Sequence, residues 1–149
     1  MPIQSIINTE NIERAKKEIE KADKPIIIKA QSLEFNRKIL EYGKFNILLD
    51  IHETTSKDKI KQLASGLNHI LTKIAKKNKV AIGIDLNTIR KLQTKQKAQA
   101  LARIKQNIKI ARKTKTKITL INQKDNLNAQ SLLLSLQAST QQAKESIVF

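Results

Sequence analysis

Five short runs of Ile, Val and Leu, separated by longer stretches of helical period, constrain this chain more than any other feature. They are Ile3 to Ile7, Pro25 to Lys29, Phe45 to Ile51, Val80 to Asp85 and Lys117 to Ile121. A run such as Ile26-Ile27-Ile28 is apolar at successive positions, so a strand built from it has to be covered on both faces, as strands of parallel sheets are. The segments between the runs are long enough for crossover helices. The alternation therefore predicts an α/β chain of βα units around about five parallel strands.

The intervening segments carry their own boundaries. Asn8 or Thr9 is placed to cap a helix over Glu10 to Ala22, with Glu10 and Glu13 near the positive end of its dipole. Ser32 opens a second helix that buries Phe35, Ile39 and Leu40 and closes at Gly43, where a left-handed cap is wanted. Ser65-Gly66 opens a third, with Leu67, Ile70, Leu71 and Ile74 inward. The longest, Thr94 to Lys115, turns Leu101, Ile104, Ile108 and Ala111 inward and Lys95, Arg103, Lys109 and Lys113 outward. Beyond the last strand come a polar loop, Asn122 to Asn128, and a short helix, Ala129 to Gln137. Ser139 and Gln142 then form a capping box that starts a helix running towards Val148. With three glycines and two prolines there is no linker composition, and residues 1–149 read as one domain.

Nothing approaches the roughly 18 consecutive apolar residues of a membrane span, and no basic-then-apolar leader is seen, so a soluble, unprocessed, cytoplasmic protein is expected. The absence of cysteine removes disulfides, thiolate metal sites and cysteine nucleophiles.

Charge is the second constraint, and it is concentrated. Residues 1–72 hold twelve Lys/Arg against ten Asp/Glu, and residues 118–149 two against two, whereas residues 73–117 hold fifteen against the single Asp85. A net +14 confined to 45 residues points to a polyanionic partner. The cations in question are Lys73, Lys76, Lys77, Lys79, Arg90, Lys91, Lys95, Lys97, Arg103, Lys109, Arg112, Lys113 and Lys115. Aromatic content is 3%, with Phe35, Tyr42 and Phe45 expected inside and Phe149 at the end. A reader of single strands needs exposed aromatic platforms, so contact with the phosphates of folded RNA is the better expectation.

Parallel βα architectures place function at the carboxyl ends of their strands. There the chain offers Asp50-Ile51-His52-Glu53 and Asp85. Two carboxylates and an imidazole could hold a divalent metal and activate water, which makes a metal-dependent phosphoesterase the enzymatic alternative. The bland alternative for both aspartates is capping of loops and helices. No H-x-H, HExxH or G-x-S-x-G spacing is present, and Gly83 stands alone inside a strand rather than in a phosphate-cradling loop.

One long ungapped segment goes further. Residues Gly66-Leu67-Asn68-His69-Ile70-Leu71-Thr72-Lys73-Ile74-Ala75-Lys76-Lys77-Asn78-Lys79-Val80-Ala81-Ile82-Gly83 resemble the middle of the protein component 3 family of ribonuclease P. That family shows a glycine, an Asn-His or Asp-His pair, an apolar helix and an Asn before a Val-Ala-Ile strand. The likeness continues through Asp85-Leu86-Asn87 and ends in the segment Gln141 to Ile147, covering residues 33–149. Gly66, Asn68, His69 and Asn78 are its motif positions.

The resemblance implies an archaeal-type, TIM-barrel-like fold related to the PHP superfamily. It implies a noncatalytic subunit that supports removal of the 5′ leader of precursor tRNA by a catalytic RNA with its own Mg2+. It also implies a small RRM-like protein, component 2, as partner, and no cofactor on the chain itself. Members of the family are commonly longer, so an incomplete barrel is expected here. After the fifth strand this chain has Asn122-Gln123 and Leu127 to Leu132 in place of the family's Arg-x-Pro-x-Asp-Leu segment. A general rRNA-binding protein is the remaining alternative.

Overall fold

The computed structural model describes residues 6–53 and 63–146. The order is β1 (Ile6–Ile7), α1 (Ile12–Lys21), β2 (Ile27–Lys29), α2 (Leu33–Tyr42), β3 (Ile47–Leu49), α3 (His69–Lys77), β4 (Ala81–Asp85), α4 (Leu86–Arg90), α5 (Thr94–Thr114), β5 (Ile118–Ile121), α6 (Asn126–Ser135) and α7 (Thr140–Glu145). All five expected strands are present. Ile3 to Ser5 of the first, and the stretch towards Val148 and Phe149, lie outside the described residues.

The five strands form one parallel sheet in the order β1-β2-β3-β4-β5. Strands that follow one another in space as in sequence send every right-handed crossover over the same face. The packing bears this out. Ile28, Leu48, Ile82, Ile84, Ile118 and Leu120 share one buried cluster with α1 (Ile19), α2 (Ile39, Leu40), α3 (Leu71) and α5 (Ile104, Ile108). The alternate residues Ile27, Ile47, Leu49 and Ala81 form a second, separate cluster on the other face. This is the TIM-barrel-like plan with an open sheet. Gly83 belongs to it: a Cβ there would collide with the Ile47 side chain, so only glycine lets the inner-face residues of β3 close over β4.

Several boundaries fall where expected. The Ser32 side chain accepts from the Phe35 amide, and Gly43 ends α2 in the left-handed region. Ser139 and Gln142 make the reciprocal capping box. Others move. Asn11, not Asn8 or Thr9, caps α1, because its carboxamide reaches the Arg14 amide. Asn68, not Ser65-Gly66, caps α3, and Ile70 is 53% exposed while Leu71, Thr72 and Ala75 are buried. The short α4 has no counterpart in the apolar pattern.

At one edge of the sheet, Ser146 covers β5: its carbonyl accepts from the Leu120 amide at 3.2 Å and the Thr119 hydroxyl at 2.9 Å. No helix among the described residues is long and apolar enough to cross a membrane.

Candidate nucleic-acid interface

The carboxyl ends of the strands meet in a polar network. Asp50 follows β3 and is 1% exposed. Its Oδ1 accepts from the Asp85 amide at 3.0 Å and its Oδ2 from Lys29 Nζ at 3.0 Å. Lys29, at the end of β2, also reaches Glu53 Oε2 at 2.5 Å. Burial pushes the Asp50 carboxyl above the ordinary carboxylate value, against the pull of the Asp85 amide and the Lys29 ammonium. Burial likewise works against the Lys29 charge, but Glu53 and Asp50 outweigh it and hold the ammonium above its ordinary value. Asp85 caps α4: its Oδ1 accepts from the Asn87 amide at 2.9 Å and from Asn122 Nδ2 at 2.8 Å. Both aspartates are thus engaged as staples, and a lysine occupies the position a cation would take.

His52 does not join them. It is 2% exposed and lines a small internal space beneath α5 with Ile51, Ile82, Ile84, Asn107 and Ile118. Neither ring nitrogen has a hydrogen-bond partner among the described residues. Burial drives its pKa down to about 4. The triad Asp50, His52 and Asp85 is therefore split between two layers, and no group of three metal-ligating side chains occurs among the described residues. The donor set does not fit a metal ion.

Arg103 was expected outward and lies inward, 7% exposed, donating from Nη1 to the His52 carbonyl at 3.1 Å. It sits on the same arc of α5 as Ala100, Ile104 and Asn107 and holds the loop after β3. Its long stem suits a position at the edge of an apolar face, where charge alone would suggest solvent.

Most of the other cations divide between the two ends of α5, while Lys105 and Lys109 stand along its length. That helix has 21 residues, which at 1.5 Å each is about 31 Å. At its start, beside the carboxyl ends of the strands, stand Arg90, Lys91, Lys95 and Lys97. Arg90 is already engaged with Asn87 Oδ1 at 2.9 Å and the Asn122 carbonyl at 3.1 Å. At its far end α5 runs into the strand beside α3, tied by the Thr116 hydroxyl, which donates to the Thr72 carbonyl in the middle of α3 at 2.8 Å. This gathers Lys73, Lys76, Lys77 and Lys79 with Arg112, Lys113, Lys115 and Lys117 at the amino end of β4 and β5. Lys79 and Lys115 both hold left-handed backbone, φ 58°, at the helix ends.

None of Lys73, Lys76, Lys77, Lys79, Lys113 and Lys115 is in an ion pair among the described residues, and the one acid of the segment, Asp85, is at the opposite edge. On α1 and α2, by contrast, cations are matched within the helix: Arg14–Glu18, Lys16–Glu13, Arg37–Glu41 and Lys38–Glu34.

Three of the four motif positions do structural work. Gly66, φ 78°, brings its backbone against the Ile51 carbonyl, where a Cβ would clash. Asn68 caps α3, accepting from the Leu71 amide at 2.9 Å. Asn78 donates to the Leu40 carbonyl at 2.7 Å and so closes the end of α2. His69, the first residue of α3, is exposed.

Two residues escaped the sequence reading. Lys29 was legible in principle, since it shares strand parity with Ile27 and ends its strand where polar residues gather. Lys105 lies one turn before Lys109 on α5, a spacing that marks a shared face.

No family model matches the chain. Curated relatives do: proteins named ribonuclease P protein component 3 from three strains of Methanococcus maripaludis are 24% identical over 113 residues, and one from a fourth is 22% identical. The chain is similar to ribonuclease P protein component 3. The match covers 76% of this chain but 46% of those relatives, so the chain spans about half their length. A chain in the cryo-EM structure of archaeal ribonuclease P with mature tRNA superposes with a TM-score of 0.73, at 23% identity, over 94% of this chain and 62% of that one. This structural likeness supports the fold.

Proposed function

We propose that the chain is a noncatalytic RNA-binding subunit of ribonuclease P, supporting removal of the 5′ leader of precursor tRNA by the catalytic RNA. The observation that carries this reading is the gathering of α3 and α5 cations at the amino ends of β4 and β5, where Glu145 of α7 stands beside Lys115 and Lys117 but the cations far outnumber it. Such a surface is held apart by its own repulsion and is relieved by a polyanion. Phosphate contacts position a folded RNA without reading its sequence, which suits a protein that supports an RNA catalyst. The likeness to component 3 supports ribonuclease P as the particle. On this reading the chemistry, with its Mg2+, belongs to the RNA, and a small RRM-like protein, component 2, is the neighbour.

The geometry weighs against a metal-dependent phosphoesterase. Both oxygens of Asp50 are already engaged and His52 faces the other layer, so Asp50, His52 and Asp85 do not converge on a common point where a metal-bound water would sit.

Binding to the ribonuclease P RNA should fall steeply with salt. If six phosphates are neutralised, the slope of log K against log salt is about −5. Changing Lys76, Lys77, Lys113 and Lys115 together to Gln should bring it towards about −2. A flat salt dependence, or wild-type affinity in the quadruple variant, would count against the reading.

A further inference from the structure

We infer that the groove between α5 and the turn at Gln137 is a second contact for RNA, built to take the sugar-phosphate backbone of a helical segment. This rests on the RNA-binding reading above and adds a site to it. The groove holds about 530 Å³ and is lined by Lys105, Gln106, Lys109, Arg112 and Gln137, with Leu63 at one wall.

Lys105, Lys109 and Arg112 stand at i, i+4 and i+7, so one face of α5 presents three cations rising by about 6 and then about 4.5 Å. That interval is comparable to the step between successive phosphates of one strand. Like charges at i and i+4 disfavour a helix. Here no acid of α5 offsets them, whereas α1 and α2 pair their cations internally.

The walls are tied. Gln106 Nε2 donates to the Leu63 carbonyl at 3.1 Å and the Ser65 hydroxyl at 2.9 Å, and Arg112 Nη1 to the Gln137 carbonyl at 3.4 Å. Gln137 itself holds φ 69°, a left-handed backbone at the end of α6 where glycine is unstrained. Its carboxamide can donate to a phosphate or ribose oxygen. Among the described residues no aromatic side chain lines the groove, which sets it apart from sites that stack unpaired bases.

The test uses the full chain and a mixed-sequence RNA duplex about two helical turns long. Lys105→Gln with Lys109→Gln is expected to weaken binding about tenfold and to reduce the salt slope by about 1.8, two phosphate contacts' worth. Gln137→Gly is expected to weaken binding severalfold without lowering the thermal midpoint, which separates a binding role from a folding one. Wild-type affinity in both variants would overturn the groove assignment. If Lys76→Gln with Lys77→Gln still weakened binding in that case, the general RNA-binding reading would stand without it. If the unaltered chain bound no RNA, both would fall. Should a polyglutamate peptide bind in a way that depends on Lys105 and Lys109 while the duplex does not, the groove is a protein site and the inference is wrong.

Discussion

Replacing His52 by Leu should leave the protein as stable as before at neutral pH and make it markedly more acid-resistant. In the folded chain the imidazole is buried and its pKa is about 4, whereas an unfolded chain titrates near 6.5. Between those values the unfolded state binds a proton that the folded state does not. Stability must therefore fall as pH drops from 6.5 towards 4, and the loss is complete below the folded value. The gap corresponds to about 3 kcal/mol, of which about 2.5 kcal/mol is lost by pH 4.5. At pH 7 the two unpartnered ring nitrogens already cost about 1 to 3 kcal/mol in lost hydration. An apolar side chain of similar size recovers part of that and offsets imperfect packing, so the neutral-pH difference should stay within about 1 kcal/mol.

The assay is urea denaturation followed by circular dichroism from pH 7.5 to 4.5, for both proteins. Every carboxylate titrates in both and cancels in the difference. This includes Asp50, whose raised value works the opposite way, since its folded form takes up a proton before the unfolded chain does. Parallel stability curves for the two proteins would refute a buried neutral His52.

Three further perturbations follow from the same geometry. Lys29→Met leaves the Asp50 carboxylate buried without its cation and should cost about 3 kcal/mol in denaturation experiments, with Lys29→Met/Asp50→Asn costing less than the single change. Gly83→Val drives a side chain into Ile47 on the inner face and should lower stability by more than about 3 kcal/mol, measured as a shift of the urea midpoint. Arg103→Gln should lower stability by about 2 kcal/mol through loss of its bond to the His52 carbonyl, yet leave RNA affinity per folded molecule unchanged. A selective loss of RNA binding in that variant would return Arg103 to the interface.

Strand positions were legible because a parallel strand needs apolar residues at successive positions, as in Ile26-Ile27-Ile28, and few other structures do. Helix ends were legible where one residue type has one purpose: Gly43 in the left-handed region, and Ser139 with Gln142 in a capping box. Ile70 and Arg103 were misread at the margins of an apolar arc. A helical period shows that an apolar arc exists but not where packing centres it: on α3 it is centred on Leu71, Thr72 and Ala75, and on α5 the stem of an arginine is apolar enough to lie on its margin.

Charge was legible as a quantity and not as a surface. Fifteen cations in one segment looked continuous, whereas most of them gather at the two ends of α5, a helix about 31 Å long. The lysine that answers Asp50 lies 21 residues away on another strand, a pairing only the register of β2 and β3 creates.

The central claim is that this chain works by holding RNA for a catalyst that is itself RNA. Reconstitution of ribonuclease P RNA with its other proteins, with and without the chain, tests it most directly, with 5′-leader cleavage of precursor tRNA as the readout. Cleavage at limiting Mg2+ should rise when the chain is added, fall back when Lys76, Lys77, Lys113 and Lys115 are changed to Gln, and be unaffected by Asp50→Asn in folded protein. Cleavage that ignores the chain, or that is lost with Asp50→Asn alone while RNA binding is intact, would contradict it.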